Sequence, residues 1–401
     1  MTSTRPRREV ARPPFWRDIR VLRAVGQIVA VALVFLLVWW LYNNLVASFE
    51  RLGIALNFDF LSSRTGFRIA FYPEFDPSSS VWQMTWVGIK NTFLAGLFGI
   101  ILASIMGLIV GVSRLSENWL VARLATVYVE VFRNIPPLVI IIFFGFALFF
   151  FGPFPLFADS WEVAIGGNNI LILNKDRWGV PGVTQTDDLL LFWIIFGIGI
   201  VATTLIWRWR TRVFDTTGAP HHRVLWSAGV LLGFFLVAFI ASGAPLEMSW
   251  PVISENRRLF EGGFAINWGF ISLTFALGLY TASHIGEIIR GSILAVHGGQ
   301  SEAAEALALS SFQRYRFVIL PQALRIALPP TINQYLNLVK NTSLGVAVGY
   351  AEITALTRTS IGNGRPTFQS IIILMVVYLG FSLIISLILN LVNRRFTLVE
   401  R

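Results

Sequence analysis

The sequence predicts an all-α integral membrane protein of about eight transmembrane helices, and three observations carry that reading. Of 401 residues, 55% are hydrophobic and only 13% are charged, against roughly 25% charged in a soluble domain. The mean hydropathy is +0.66. Apolar runs near the length of about 20 residues that crosses a bilayer recur along the chain and alternate with basic segments. The net charge of +10 is mostly arginine in short connections, so it reports membrane orientation; no stacking platform or nucleic-acid motif accompanies it, and nucleic-acid binding is excluded. Cysteine is absent, which excludes disulfides and thiolate metal sites and leaves the compartment open.

The chain opens on a basic tail with Arg5, Arg7, Arg8, Arg12, Arg17, Arg20 and Arg23. Residues 25–42 form a first span, longer than a signal-peptide core and without a small-residue cleavage site behind it. They read as an anchor that starts in the cytoplasm. Residues 43–88 are mixed and external. The second span, 91–112, repeats Ala95, Gly99, Ala103, Gly107 and Gly111 every four residues, a smooth stripe for close helix packing. Arg114, Arg123 and Arg133 mark the next connection as cytoplasmic, and Pro136-Pro137 breaks a short helix from a third span at 138–151. Glu130 and Arg133, one turn apart, suit a structural ion pair near the membrane surface, with a gating role as the alternative.

Residues 152–188 read as an external loop, and 189–207 and 224–242 as a helix pair around a basic connection with Arg208, Arg210, Arg212 and Arg223. His221-His222 has no third ligand nearby, and His284 and His297 are too far apart to share an ion, so no metal site is expected. Residues 244–263 are external and a sixth span runs over 264–289. Its end carries Glu287 and Arg290 three apart, placed for a salt link. A seventh span begins near 327, residues 350–368 form an external loop, and 370–391 returns inside to Asn393-Arg394-Arg395. Both termini are then cytoplasmic. The chain divides into 1–88 (tail, anchor and external loop), 89–151 and 264–401 (a core in two parts), and 152–263 (an insertion).

The most informative stretch is 302–330, EAAEALALSSFQRYRFVILPQALRIALPP. It lies between apolar spans yet carries Glu302, Glu305, Arg314, Arg316 and Arg325, so it sits in water. Ser301 can cap a helix whose first turn then holds Glu302 at the positive end of the helix dipole. Ala303, Ala304, Ala306 and Ala308 favour helix and leave a smooth surface, with Leu307 and Leu309 free to fill a groove on a partner. Pro321 closes the segment behind it. Further on, Asn333, Asn337, Lys340 and Asn341 fall near one helical face. A lysine in a membrane segment is costly and faces a partner or a water-filled cavity. That face either lines a translocation path, together with Glu287, or is structural, with Lys340 paired to a carboxylate such as Glu352.

The 302–330 stretch resembles the EAA loop of ABC-importer permeases in the polar amino acid branch, EAAxALGLSxxQxFxxVxLPQAxRxxLP. Glu302, Ala303, Ala304, Ala306, Leu307, Leu309, Ser310, Gln313, Val318, Leu320, Pro321, Gln322, Ala323, Arg325, Leu328 and Pro329 match. Ala308 stands at the family's usual glycine, which makes a bend there less favourable, and Tyr315 replaces a phenylalanine. YVEVFRNIPPLV from 128 is similar to the family's YVEVFRGTPLLV, with Asn134-Ile135 at its Gly-Thr. Glu287, Arg290, Gly291, Ile293, Ala295, Val296 and Gln300 match AEIxRGGIxAVxxGQxEAA, and 331–349 is similar to INQxxxLxKDTSL. The resemblance covers about 87–151 and 268–396; a long chain with an extra anchor and inserted pair looks like the broad-specificity L-amino acid importers of Gram-negative bacteria.

The resemblance implies a five-helix type I importer permease core in the bacterial inner membrane, moving polar or assorted L-amino acids. It implies an ABC ATPase dimer as partner, a second homologous permease and a periplasmic amino-acid-binding protein. Glu302, Ala303, Ala304, Leu307, Ala308, Leu309, Ser310 and Gln313 become the ATPase-coupling residues. No GxxxxGK[ST] loop occurs, so ATP and Mg belong to the partner and this chain is no enzyme and holds no cofactor. The rival readings are a secondary transporter or channel, which would want more intramembrane carboxylates than Glu287, and a membrane enzyme, which would want a nucleophile–base pair or metal cluster.

Overall fold

The computed structural model describes residues 16–394 except 17, 52, 54–56, 71, 73–74, 151, 157–158, 186–188, 219–221, 244–245 and 255–259. Arg5, Arg7, Arg8, Arg12, Arg17, His221 and Arg395 therefore lie outside the described residues. The chain separates into two units, Met1–Phe60 and Leu61–Arg401. The first is built on helix α1 (Ile19–Arg51). From Val21 to Tyr42 its apolar side chains are exposed all round, as a lipid-facing helix requires.

The second unit is organised on α2 (Val81–Ser113) and α7 (Trp268–Leu294). α2 starts ten residues before the predicted position because Ser80 and Gln83 form a capping box: Ser80 Oγ accepts the Gln83 N–H at 3.2 Å and Gln83 Oε1 accepts the Ser80 N–H at 2.8 Å. The polar residues of that first part are absorbed by helix chemistry, since the Thr85 and Thr92 hydroxyls donate to the Val81 and Gly88 carbonyls, both at 2.8 Å. The small-residue stripe meets α7. A Cβ on Gly107 would lie 2.7 Å from Ile285 Cγ2 and one on Gly111 2.8 Å from the Gly286 carbonyl oxygen, so only glycine permits this approach. The core of the unit joins Ala95 and Ala103 to Leu273, Leu277, Ile285, Ile141 and Leu338.

Asn118 caps α3 (Trp119–Asn134), which meets α4 (Pro137–Phe144) at a bend of 107°, and Pro137 takes the first helical position after the break. The predicted Glu130–Arg133 ion pair does not form among the described residues. Asn134 Nδ2 instead donates to the Glu130 carbonyl at 2.7 Å and lies 3.4 Å from its carboxylate.

The predicted loops at 152–188 and 244–263, and the start of the predicted sixth span, are not structureless. They contain β1 (Trp161–Ile165), β2 (Asn168–Leu173), β3 (Arg177–Val180) and β4 (Gly182–Gln185), then β5 (Leu246–Ser249), β6 (Val252–Ile253), β7 (Phe260–Glu261) and β8 (Phe264–Asn267). An antiparallel sheet of order β1-β2-β3-β8 forms, beside the pairs β4–β5 and β6–β7. The signal was present: Gly166 and Gly167, at φ of 63° and 84°, make a two-residue hairpin between Ile165 and Asn168. Because 264–267 pairs with β3, α7 begins only at Trp268, capped by Asn267 Oδ1 accepting from Phe270 N at 2.7 Å. Between β4 and β5 run α5 (Leu189–Thr217) and α6 (Arg223–Ala241). α5 extends beyond the predicted end, so Arg208, Arg210 and Arg212 are helical, and the Arg210 and Arg223 guanidinium groups lie over the Trp226 and Trp207 rings at 5.6 and 4.9 Å.

After α7 come α8 (Gly298–Ala306), α9 (Ser311–Arg314), a π-helical turn (Tyr315–Ile319) and α10 (Leu320–Asn341). α10 begins well before the predicted 327 and runs through Pro329-Pro330, while Pro321 opens it instead of closing the segment before it. A 3₁₀ segment (Thr342–Val348) then leads to α11 (Ile353–Gly362) and α12 (Thr367–Arg394). The predicted loop at 350–368 thus holds a helix, whose Ile353, Leu356, Thr357 and Ser360 are buried. Five described helices are long and apolar enough to cross a membrane, six with the bent α3–α4 pair. α7 and α10, at 27 and 22 residues, are long enough to span at about 1.5 Å per residue but carry polar side chains; counting them gives about eight.

Candidate coupling site and polar helix face

Helix α8 is shorter and starts earlier than its alanines suggest. His297 caps it, Nδ1 accepting from the Gly299 N–H at 3.2 Å, so Ser301 does not cap and Glu302 lies in the second turn. The far end is a Schellman closure. The Leu309 N–H donates to the Ala304 carbonyl at 3.1 Å and the Ala308 N–H to the Glu305 carbonyl at 2.8 Å, with Ala308 at φ 54°. The bend that alanine was expected to disfavour is therefore made, because two hydrogen bonds at the helix end outweigh the left-handed strain of about 1 kcal/mol. Ala308→Gly should relieve that strain. Slower amide exchange at Ala308 and Leu309, by roughly fivefold for about 1 kcal/mol, would register it; unchanged exchange would show that the strain is not borne there.

Ser310 and Gln313 form a capping box around α9: Ser310 Oγ accepts from Gln313 N at 3.4 Å and Gln313 Oε1 accepts from Ser310 N at 2.9 Å. The S-x-x-Q spacing carried that signal. Their structural role is to shape the turn beneath the knob. Arg314 donates to Glu305, tying α9 to α8, and Gln322 Nε2 donates to Gln300 Oε1 at 3.1 Å, tying α8 to α10. Neither link was anticipated. Ala304 is buried on this scaffold, whereas Glu302, Ala303 and Ala306 are exposed and Leu307 is 75% exposed. Leu309 is half-buried under the turn. Glu302 has no hydrogen bond or ion pair among the described residues, so the braced segment leaves a carboxylate and, five residues on, a leucine exposed.

Glu287 is engaged elsewhere. Its carboxylate accepts from Arg114 at the end of α2 and from Arg290 one turn on, the latter at 2.6 Å. This three-residue cluster clamps α2 to α7 where both helices end.

α10 is two-faced. Tyr335 OH meets Ser104 Oγ of α2 at 2.7 Å, and Leu338 and Val339 are buried against Gly99 and Gly96. Asn333, Asn337 and Lys340 are exposed on the other side, with Asn341 half-buried. Lys340 does not pair with Glu352, which is fully buried and accepts from Thr354 N (2.8 Å), Ala355 N (2.7 Å) and Tyr378 OH (3.0 Å) as the cap of α11. The Lys340 ammonium makes no ion pair among the described residues. No group of three or more His, Cys, Asp or Glu placed to hold a metal occurs among the described residues.

Membrane-length helices around a closely packed α2–α7 pair, with one polar face left uncovered and one braced helix outside the lipid, define a membrane permease subunit. The chain belongs to the family described as binding-protein-dependent transport system inner membrane component, which matches residues 95–398. It is similar to the general L-amino acid transport system permease protein AapQ of Rhizobium johnstonii, 38% identical over 94% of this chain and 92% of that one. It is 36% identical to the putative amino-acid ABC transporter permease protein YhdX of Escherichia coli, over 94% of each. It is 34% identical to the glutamate/glutamine/aspartate/asparagine transport system permease protein BztB of Rhodobacter capsulatus, over 96% of each. A crystal structure of an amino acid ABC transporter with histidines aligns at TM-score 0.45 and 18% identity, over 78% of this chain and 94% of that one. The chain is thus a multi-pass inner-membrane permease subunit that works with a separate ATPase and a binding protein.

Proposed function

We propose that this chain conducts L-amino acids, polar or of broad specificity, through the bacterial inner membrane as one half of a permease pair. Its partner in the pair is a second, homologous permease, and a periplasmic amino-acid-binding protein delivers the substrate. The exposed end of α8, with Glu302, Ala303, Leu307 and the Ala308–Leu309 turn above the Ser310–Gln313 box, seats in the cleft of an ABC ATPase dimer that holds ATP and Mg. Both termini lie on that cytoplasmic side. The observation that carries the reading is the braced knob itself: hydrogen bonds and an ion pair fix the backbone, while the exposed Glu302 carboxylate has no partner among the described residues and Leu307, five residues on, stays exposed. A helix that is rigid and unoccupied can pass on a push, whereas a flexible one would absorb it. The test is reconstitution of the permease pair with its ATPase and binding protein in liposomes. ATP-dependent uptake of labelled L-amino acids is expected, and uptake by the permease without the ATPase would overturn the proposal.

The exposed Asn333–Asn337–Lys340–Asn341 face is proposed to line the translocation path, because an unpaired ammonium and three amides facing lipid would cost several kcal/mol. Glu287 supports that path indirectly, by holding α2 to α7. Lys340→Ala should change the rate or selectivity of uptake while binding-protein-stimulated ATP hydrolysis persists. Failure of the variant merely to accumulate in the membrane would assign Lys340 to folding.

A further inference from the structure

The second unit carries a cleft of about 610 Å³ at the end of α10 opposite the coupling knob, between the segment 67–70, the 3₁₀ turn after α10, and α11. Its charged lining residues are Arg68 and Arg358, and no carboxylate lines it among the described residues; Phe67, Ile69, Val346 and Leu356 supply apolar walls. The neighbouring acids among the described residues are committed elsewhere. Glu352 is the buried cap of α11, and Asp76 accepts from Ser78 N at 2.8 Å and Ser79 N at 3.0 Å. The hydrogen bonds from Ser78 hold the Asp76 carboxyl below its ordinary range, so it stays ionised and engaged. Neither arginine makes an ion pair among the described residues.

Both arginines sit on fixed backbone. The Thr65 N–H donates to the Ser79 carbonyl at 2.9 Å and the Gly66 N–H to the Pro77 carbonyl at 3.1 Å, and Arg365 donates to the Arg64 carbonyl. On the other wall the Ile353 N–H donates to Thr92 Oγ1 at 3.1 Å, fastening α11 to α2. Two guanidinium groups lining one cleft whose described lining holds no carboxylate favour an anion there, and the guanidinium fork matches a carboxylate. The volume is that of a small-molecule site.

We propose that Arg68 and Arg358 form a receiving site for the carboxylates of an acidic amino acid, one guanidinium for each carboxylate, at the outer mouth of the permease. This rests on the transport reading above, which places the cleft on the external side. The site favours dicarboxylic amino acids over neutral ones and disfavours cationic ones.

The experiment uses the assembled importer in lipid nanodiscs, titrated with L-glutamate, L-glutamine and L-lysine and read by calorimetry, with R68Q, R358Q and the double variant. Wild type should bind glutamate more tightly than glutamine and lysine least. Each single variant should weaken glutamate by about tenfold or more, as loss of one charge-assisted contact implies, with glutamine far less affected. No glutamate binding to wild type, or glutamate and glutamine weakened alike, overturns the proposal. Unchanged glutamate binding with lost stimulation of ATP hydrolysis by the binding protein also overturns it, and assigns the arginines to a carboxylate on that protein. Basal ATP hydrolysis and co-purification of the ATPase, read on the same samples, report separately on the transport reading.

Discussion

Glu302→Lys should reduce ATP-driven uptake to background while the permease stays at its normal level in the membrane. Glu302 is exposed and has no hydrogen bond or ion pair to lose among the described residues, so the fold should change by no more than about 0.5 kcal/mol. In the proposed seat the same change replaces an attraction with a like-charge or unpaired-charge contact. Such a reversal costs about 3 kcal/mol or more, over a hundredfold in affinity. Affinity purification of the permease from detergent-extracted membranes should therefore lose the ATPase in the variant and keep it in wild type. Uptake at the wild-type rate would refute the docking role of α8. Leu307→Ala, which trims an apolar tip and adds no charge, should weaken the same association less.

Gly111→Val should produce the largest loss of stability among single substitutions in the α2–α7 pair. A Cβ at that position would lie 2.8 Å from the Gly286 carbonyl oxygen and 2.9 Å from Ile289 Cβ. Backbone cannot swing aside as a side chain can, so the helices must separate. Overpacking of this kind costs about 1–3 kcal/mol, and the branched side chain places it at the upper end. Separation would also pull Arg114 from Glu287, since both lie at this end of the pair. Gly291→Ala, on the same α7 and with open space around its Cβ, should be neutral or slightly stabilising, because alanine is the better helix former. Thermal unfolding of the two purified variants decides the matter: equal midpoints would mean that the glycine contact does not limit stability.

What the sequence made legible was whatever repeats along one element. The four-residue spacing from Ala95 to Gly111 foretold close helix packing, without saying against which helix, and Pro136-Pro137 foretold the break between α3 and α4. What it hid was decided by partners distant in the chain. Glu352 reads as a loop carboxylate until Tyr378 and the α11 amides close on it. Glu287 was assigned only Arg290 because Arg114 is brought to it by the fold, 173 residues away. The β3–β8 pairing was missed for the same reason, since it closes across a helical hairpin. In the coupling segment the helix itself was readable, but its ends were not. Ser301 was the plausible cap by residue type, and His297 took the role because the helix begins four residues earlier on two glycines. Ala308 shows that a position normally given to glycine can keep its geometry when its neighbours' hydrogen bonds demand it.

The register of β4 and β5 has a consequence for how chains of this build vary in size. Gln185 sits opposite Leu246 and Gly182 opposite Ser249, so everything between them leaves and re-enters the molecule through one doorway about 5 Å wide. The α5–α6 hairpin is attached at that doorway like a side room. A lineage could enlarge it, trim it or replace it with a tight turn, and the ladder on the threshold would close in the same register.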